Sequence, residues 1–369
     1  MSKVILLNGS HPDYLINLRG QLIRDIVSSG HQVHVTSPDL SSEHSCTLRS
    51  MGCTPHKVAL DRRSKNLLRD YKYYQNLKRV IASIKPDLVL GYTIKPNIWG
   101  GIAAKHAGVP SASLVTGLGY AFTGDTTVRR AAQYILQRLY RLATNSNHVV
   151  IFQNKDDALD FVDAGCLSDK KKIRLVAGSG VDLNHFHIEP LPDEPAFLLI
   201  ARLIKSKGIM EYVESGLSLK NQKPHYRIML AGFVEDGPDA IELDQITAWE
   251  RQGLEYIGPL TDVRPTIKRA SVYVLPSYRE GTPRTVLEAM SMGRPIITTD
   301  VPGCRETVHD GLNGYLVKSH DKISLEQAMR KLGDAPELRR AMGHASREIA
   351  EKRFAIETVN RNMMDFLDL

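Results

Sequence analysis

The chain has 369 residues, of which 42% are hydrophobic and 24% are charged, and its formal net charge is +7. This length exceeds one ordinary domain and suits two, each large enough to bury a core without disulfide or metal support. The longest apolar runs, such as 196–201, are far shorter than the roughly 20 residues that a membrane span needs. We therefore expect a soluble globular protein with no membrane-spanning helix.

The N-terminal residues and the cysteines indicate how the chain is processed and in which compartment it lies. The first residues lead directly into a strand-length apolar run with no cleavage-site pattern, so we expect no signal peptide. The four cysteines form no CxxC pair and no metal-ligand spacing, so we expect small buried residues in a reducing compartment. They are Cys46, Cys53, Cys166 and Cys304.

Short apolar strands alternate with helical stretches along almost the whole chain. In the first half the predicted strands are 3–8, 32–36, 87–91, 111–115, 148–152 and 173–176, and the predicted helices are 15–29, 97–107, 127–143 and 155–164. After a proline-rich acidic stretch, the predicted strands are 197–201, 227–231, 254–257, 272–275, 296–298 and 314–317.

This alternation predicts parallel sheets with helices on both faces, and so an α/β protein of two tandem doubly wound, Rossmann-like domains. The predicted divisions are a first domain at 1–188, a linker at 189–195, a second domain at 196–352 and a C-terminal helix at 353–369 that returns to the first domain. Such sheets bind ligands beyond the carboxyl ends of their strands, so we expect the site in the interdomain cleft.

Positive charge is concentrated in residues 51–150, which contain 15 basic and 4 acidic residues. Basic and apolar side chains are interleaved there, which indicates a basic amphipathic surface for an anionic partner. A merely solvated helical face is the alternative, and nucleic acid is possible from charge alone, although no nucleic-acid motif accompanies it. The central basic residues are Arg62, Arg63, Lys65, Arg69, Lys72, Lys78 and Arg79.

The segment 272–290 carries the clearest chemical signal. A predicted strand is followed by a loop with Glu280 and Gly281, then by Thr282 as a helix N-cap and Pro283 as the first helical residue. The free backbone N–H groups of such a helix start suit a diphosphate, and glycine permits close backbone approach. We therefore predict a nucleotide diphosphate at this loop.

Glu280 and Glu288 lie eight positions apart around this helix start. This spacing can place one carboxylate near a sugar ring and the other near a ribose, where each accepts hydroxyl hydrogen bonds. The alternative interpretation is that Glu288 pairs with Arg284 at i,i+4 and that Glu280 is a surface loop charge.

Together these residues form an E-x7-E pattern that is continued by 294–303, while 201–208 is similar to an R-x4-K-G signature. The chain thus resembles glycosyltransferase family 4, retaining enzymes of the GT-B fold. The resemblance implies catalytic roles for Arg202, Lys207 and Glu280, with the two cations neutralising the donor diphosphate as the glycosidic bond breaks. Cations at a helix start are otherwise unfavourable unless an anion binds.

The resemblance also implies the remaining contacts. The donor-binding residues would be Gly9, Arg202, Lys207, Ile257, Gly258, Pro259, Glu280, Gly281, Thr282, Pro283 and Glu288, with a uracil base held near 256–260. Ser10, Lys95, Thr116 and Gly117 follow predicted strands of the first domain and Arg19 lies early on its first helix, so we expect these five residues to bind the acceptor. No Asp-x-Asp pattern is present to hold a divalent ion, so no metal or other cofactor is expected.

Two runs in the first half, 93–97 and 116–120, resemble the branch of this family that extends lipid-linked oligosaccharides in bacterial surface-glycan and protein-glycosylation pathways. Some relatives carry His or Glu where this chain has Thr116, so no side chain is assigned as catalytic base or nucleophile. In a same-face mechanism the leaving phosphate takes the acceptor proton. Isolated histidines at 11, 34, 106 and 148 are interpreted as structural.

The expected function is retaining transfer of a sugar, of the N-acetylhexosamine type, from a UDP-sugar to a polyprenyl-diphosphate-linked glycan. The basic 51–150 region would dock on the anionic inner face of the cell membrane, at about 1 kcal/mol for each well-placed cation. The alternatives are a UDP-sugar epimerase on the same fold, a glycosyltransferase with a soluble acceptor, and a non-catalytic membrane- or nucleic-acid-binding protein.

Overall fold

The computed structural model describes residues 1–62, 64, 66–118 and 127–369, with backbone alone at 67 and 127–129. Arg63 and Lys65 of the predicted basic surface, and Gly119 and Tyr120 of the second acceptor run, lie outside the described residues. The chain divides into two compact units. The first unit comprises Met1–Ser179 and Thr358–Leu369, and the second comprises Gly180–Glu357, so the division precedes the predicted linker at 189–195.

The first unit contains a seven-stranded parallel sheet in the order β3-β2-β1-β4-β5-β6-β7. Its strands are β1 (Val4–Asn8), β2 (Gln32–Ser37), β3 (Cys53–Lys57), β4 (Leu88–Tyr92), β5 (Ser111–Val115), β6 (Val149–Phe152) and β7 (Ile173–Leu175). The sequence pattern missed β3, because an edge strand with exposed polar side chains and a proline lacks the apolar run of a central strand.

Helices cover both faces of this sheet. They are α1 (Pro12–Ser28), α2 (Ser42–Ser50), α3 (Leu67–Ile84), α4 (Ile94–Ala107), α5 (Thr127–Thr144) and α6 (Lys155–Asp163), joined by the C-terminal α13 (Ile356–Phe366). Alternate residues of each strand point to opposite faces. Leu7 accordingly packs with residues of α1, α2 and α13, whereas Leu6 packs with residues of α3, α4 and α5.

The C-terminal segment belongs to the first unit through apolar contacts. Val359, Met363 and Leu367 repeat at i, i+4 and i+8, which places them on one helix face, and they are buried in the core beside α1. Asn360 donates to the Asp25 carboxylate of α1 at 2.6 Å. The chain therefore crosses to the second unit and returns.

The second unit contains a six-stranded parallel sheet in the order β10-β9-β8-β11-β12-β13. Its strands are β8 (Ala196–Ile200), β9 (Arg227–Ala231), β10 (Leu254–Gly258), β11 (Val272–Leu275), β12 (Ile296–Thr299) and β13 (Gly314–Val317). Its helices are α7 (Ile209–Gln222), α8 (Leu243–Arg251), α9 (Arg264–Lys268), α10 (Arg284–Ser291), α11 (Lys322–Asp334) and α12 (Pro336–Ile349). The predicted fold class, two Rossmann-like α/β domains, is confirmed.

A fully buried arginine, Arg294, holds the start of the second unit together. Its guanidinium donates to the carbonyl oxygens of Ile267, Lys268, Met292, Glu189 and Pro190, at 2.7 to 3.4 Å. Burial lowers the pKa of Arg294 to about 10, which still leaves it charged at neutral pH. A planar five-donor group suits such a set of acceptors. The predicted linker is therefore fixed to this unit at its first two residues.

We expect Arg294→Lys to lower the free energy of unfolding of the second unit by about 2–4 kcal/mol, because buried carbonyl groups lose their donors. Denaturant unfolding followed by circular dichroism measures the change. The control is Arg340→Lys on α12, whose side chain is 54% exposed. Equal small effects for the two variants would contradict the structural role of Arg294.

Candidate active site

The second sheet brings two loops together at its centre. Strands β8 and β11 are neighbours there, and the strand order reverses between them, which is the position where open α/β sheets bind ligands. The loop after β8 carries residues 201–208, and the loop after β11 carries residues 276–283. The two sequence motifs therefore lie side by side.

Backbone contacts lock these two loops to each other. The Tyr278 N–H donates to the Ser206 carbonyl at 3.0 Å. Gly208 has a φ of +70°, and a Cβ built there would lie 2.1 Å from the Pro276 carbonyl oxygen. The glycine of the R-x4-K-G signature is thus required both by its backbone conformation and by space.

The loop after β12 supports the same arrangement from the other side. Glu280 N–H donates to the Pro302 carbonyl at 3.1 Å. A Cβ at Gly303, where φ is +78°, would lie 2.2 Å from the Glu280 carbonyl oxygen. The Pro302–Gly303 turn therefore acts as a backbone support for the loop that carries Glu280.

Lys207 and Glu280 meet at this position. The Lys207 ammonium forms an ion pair with the Glu280 carboxylate, and the two side chains are 17% and 14% exposed. The cation of one motif and the first carboxylate of the other are therefore close together. A partly desolvated pair of this kind is also held in place more firmly than a surface pair.

The structure places Arg202 differently. It follows β8, its side chain is 44% exposed, and its guanidinium pairs with Glu235 at 3.2 Å rather than with Glu280. Glu235 lies in the loop after β9, and sequence analysis did not identify it. The adjacent acidic residues at 235 and 236 follow a strand end, which is the signal that could have found it.

Glu288 lies in the second turn of α10 and is 6% exposed. Arg284 Nε donates to its carboxylate at 2.8 Å, so the i,i+4 pair that was the alternative interpretation is present. Burial raises the pKa of Glu288, and the Arg284 cation partly offsets that rise. A buried carboxylate with one intrahelical partner can still accept a hydroxyl hydrogen bond from a ligand.

The predicted cap of α10 is wrong in detail. The helix begins at Arg284, Pro283 occupies the N-cap position, and no side chain caps this helix. The Thr282 hydroxyl instead donates to the Gly281 carbonyl at 3.0 Å. Since Pro283 has no N–H and lies at the cap, the backbone donors of the helix start come from the residues after it.

The predicted base-binding segment, Ile257, Gly258 and Pro259, lies at the end of β10. Gly232 N–H donates to the Gly258 carbonyl at 2.9 Å. A Cβ at Gly232 would lie 1.7 Å from the Ala201 carbonyl oxygen. The loops after β8, β9 and β10 are therefore packed backbone to backbone at one edge of the sheet.

Residues that the sequence did not reveal tie the β11 loop to α7. The Tyr278 hydroxyl donates to the Glu211 carboxylate at 2.7 Å, and the Tyr278 and His320 rings lie 3.7 Å apart between centroids. No local pattern predicts this contact, because its members lie on three separate elements.

The first unit has its own strand-order reversal, between β1 and β4. Gly9 and Ser10 follow β1, and the Thr93 hydroxyl after β4 donates to the Ser10 hydroxyl at 2.9 Å. A Cβ at Gly9 would lie 2.7 Å from the Tyr92 hydroxyl. The predicted donor and acceptor residues Gly9 and Ser10 thus lie in one tightly packed pair of loops.

The other predicted acceptor residues are spread more widely in the first unit. Thr116 and Gly117 follow β5 and are half-buried. Arg19 is 4% exposed on α1, with its guanidinium 5.9 Å from the centre of the Tyr92 ring. Lys95 donates to Asp70 at 2.6 Å and also to two loop carbonyl groups, so its ammonium is engaged within the protein.

Two Rossmann-like domains in tandem define the GT-B class. In this chain, basic and acidic loop residues pair at the strand-order reversal of the second domain. Residues 3–154 match the family described as glycosyl transferase 4-like, and residues 182–349 match glycosyl transferases group 1. The chain belongs to these glycosyltransferases and is an enzyme of the hexosyltransferase type, as the sequence predicts.

Two relatives are similar in sequence to most of this chain. It is 26% identical to the N,N'-diacetylbacillosaminyl-diphospho-undecaprenol alpha-1,3-N-acetylgalactosaminyltransferase of Campylobacter jejuni, over 88% of each chain. It is 26% identical to the UDP-Gal:alpha-D-GlcNAc-diphosphoundecaprenol alpha-1,3-galactosyltransferase of Escherichia coli, over 74% of this chain and 73% of the relative. Anabaena HepE, solved with UDP and glucose, has the same fold, with a TM-score of 0.80, 16% identity and 99% of each chain covered.

The buried position of Glu288 predicts a pH-dependent effect. Because its folded-state pKa is raised, protonation stabilises the fold at pH values below the unfolded pKa, and that contribution is lost as the pH rises through the folded pKa. We expect Glu288→Gln, which stays uncharged, to gain stability relative to the unsubstituted protein as the pH rises from about 4 to 8.

Urea unfolding of the nucleotide-free protein over this pH range measures the difference in free energy. The control is Glu326→Gln on α11, which removes a carboxylate from another i,i+4 arginine pair with a more exposed glutamate. A Glu288→Gln difference that is independent of pH, or that shrinks with rising pH, would show that Glu288 is not destabilised by burial.

Proposed function

We propose that this glycosyltransferase moves a sugar, of the N-acetylhexosamine type, from a UDP-sugar to a polyprenyl-diphosphate-linked glycan, with retention of configuration. The assignment of a nucleotide-sugar donor rests on the Lys207–Glu280 pair at the adjoining ends of β8 and β11. The names of the Campylobacter and Escherichia relatives support the assignment of a lipid-linked acceptor, since both act on diphospho-undecaprenol-linked sugars. The UDP bound to HepE supports the choice of nucleotide.

Lys207 would contact the donor diphosphate, and Arg202 would add a second positive charge. The bond between the anomeric carbon and the phosphate oxygen breaks, and the negative charge that develops on the leaving phosphate is stabilised by these cations. The acceptor hydroxyl attacks from the same face of the sugar, and its proton passes to the departing phosphate oxygen. Glu280 would hold sugar hydroxyl groups, and Glu288 would hold the ribose.

This scheme needs no side chain as base and no divalent ion, because Lys207 and Arg202 supply the positive charge that a metal would otherwise bring. Thr116 occupies the position where some relatives have His or Glu, and its hydroxyl is neither a base nor a nucleophile at neutral pH without activation. We therefore propose a metal-independent transferase in which the substrate phosphate performs the proton transfer.

The acceptor-side surface consists of α3, α4 and α5, which cover one face of the first sheet. Their sequences contain ten Lys and Arg residues and one acidic residue, Asp70. Asp70 is 8% exposed and is neutralised by Lys95. The outward charge of this layer is therefore almost purely positive, which favours a partner with negative charge.

Exposed apolar side chains accompany this charge. On α5, Tyr134 is 56% exposed, Ile135 is 50% exposed and Leu142 is 46% exposed, while Arg130 and Arg138 on the same helix are also exposed. On α3, Leu68 and Tyr71 are exposed beside further cations. Apolar side chains flanked by cations suit the headgroup region of an anionic membrane. No helix among the described residues is long and apolar enough to cross a bilayer.

To test the transfer, purified protein is incubated with a panel of UDP-sugars and a short lipid-linked acceptor, with and without EDTA. We expect UDP release and a product larger by one sugar in the α configuration, unaffected by EDTA, and about 10²–10³-fold less product with Lys207→Ala. Conversion of one UDP-sugar into another without acceptor would favour the epimerase. Transfer to soluble sugars alone would contradict the assignment of a lipid-linked acceptor.

To test the membrane surface, Ile135→Ser with Leu142→Ser is compared with Leu243→Ser with Ile323→Ser. The second pair removes apolar side chains of the second unit that are at least as exposed. We expect the α5 pair to weaken binding to anionic vesicles about tenfold, because buried apolar area is lost, and the control to leave it unchanged. Equal binding by both variants would exclude α5 as the membrane contact.

A further inference from the structure

A basic pocket lies in the first unit, beyond the carboxyl ends of β2 and β3. Its volume is about 550 Å³, which is within the range of small-molecule sites. The loops after β2 and β3 form one side, and α3 forms the other. The lining residues are Asp39, Ala59, Leu60, Asp61, Arg62, Arg69, Lys72, Tyr73 and Asn76.

The charges in this pocket leave two cations available. Arg69 pairs with the Asp61 carboxylate at 2.5 Å. Among the described residues, neither Arg62 nor Lys72 has a carboxylate within ion-pair distance, and Asp39 is the remaining carboxylate of the lining. With three cations and two carboxylates, the pocket has an excess of positive charge that an anion would satisfy.

The position of Arg62 is fixed by Lys95. The half-buried Lys95 ammonium donates to the Asp61 carbonyl at 2.8 Å, to the Ser64 carbonyl at 2.7 Å and to the Asp70 carboxylate at 2.6 Å. It therefore holds the loop on both sides of Arg62 against α3. Lys95 acts on this loop as a positioning residue, which reduces the cost of ordering Arg62 around a ligand.

The pocket adjoins the strand end that carries the predicted acceptor residues. Tyr73 forms its inner wall, is 2% exposed, and donates its hydroxyl to the Asn8 side chain at 2.8 Å. Asn8 ends β1 and precedes Gly9 and Ser10. The pKa of His11, lowered mainly by burial, is lowered further by the Arg62 cation. Arg62 thus lies near the loop after β1.

We propose that this pocket binds the diphosphate of the lipid-linked acceptor, with Arg62 and Lys72 as its ligands. The assignment rests on the proposed function, and it divides the basic surface into two parts. A concave site with a guanidinium and an ammonium suits a compact phosphate group. The exposed cations outside it, such as Lys78 and Arg138, remain for the flat surface of the membrane.

The test compares two double variants of equal charge. Arg62→Gln with Lys72→Gln removes the two ligands, and Lys78→Gln with Lys85→Gln removes two exposed cations that do not line the pocket. Inorganic pyrophosphate is titrated calorimetrically in the presence of saturating UDP, which occupies the donor site. Acceptor KM, UDP-sugar KM, kcat and vesicle binding are measured in parallel.

We expect the pocket variant to weaken pyrophosphate binding and to raise acceptor KM about tenfold or more, with kcat and UDP-sugar KM unchanged. With the short lipid-linked acceptor presented in detergent rather than in a membrane, the control should alter vesicle binding alone. Unchanged pyrophosphate affinity in the pocket variant, or an equal rise of acceptor KM in the control, would overturn the assignment. Failure of the proposed function is distinguishable, since it appears as no transfer to a lipid-linked acceptor by the unsubstituted protein.

Discussion

The arrangement of the second unit depends on close approach of backbone to backbone where its central strands end. Gly208 contacts Pro276, Gly232 contacts Ala201, and Gly303 contacts the carbonyl of Glu280. A Cβ at any of the three would lie about 2 Å from a carbonyl oxygen, and all three have positive φ. Because backbone cannot move aside as a long side chain can, these contacts fix the height and spacing of the loops. The side chains of Lys207 and Glu280 meet as a consequence of that spacing.

This constraint explains which parts of the site were predictable. Glycine and proline act locally, so the resemblance of 201–208 and 294–303 to family motifs identified both segments, including Arg202 and Lys207. The start of α10 was misplaced by about one residue for the same local reason, since Thr-Pro fits the beginning of a helix in more than one register. The fold class followed from alternating strands and helices, although the polar edge strand β3 and the helices α2 and α3 were not among the predicted elements.

The Arg284–Glu288 pair was predictable because it lies at i,i+4, whereas the partners of the other charged residues lie far away in sequence and were not predictable. Lys95 is predicted as an acceptor ligand because it follows a strand, and the sequence did not show that its ammonium also donates to the Asp61 and Ser64 carbonyl groups. Arg202 pairs with Glu235, which is far away in sequence. Arg294 looked like part of a motif and is instead a buried donor to five carbonyl groups. Each pairing depends on which loops the strand order of the sheet makes neighbours, and the local sequence does not reveal the strand order.

The basic charge of the first unit suits two kinds of anionic partner. A count of cations alone cannot separate a membrane surface from a ligand pocket, since both need positive charge. Shape and pairing separate them. Around Arg62 the cations line a pocket of about 550 Å³, and Lys95 holds the loop that carries Arg62. On α5 the cations are instead mixed with exposed apolar side chains such as Tyr134 and Ile135. The first arrangement favours a compact anion and the second favours a lipid surface, which is why we propose that one basic region serves both the diphosphate and the lipid of the proposed acceptor.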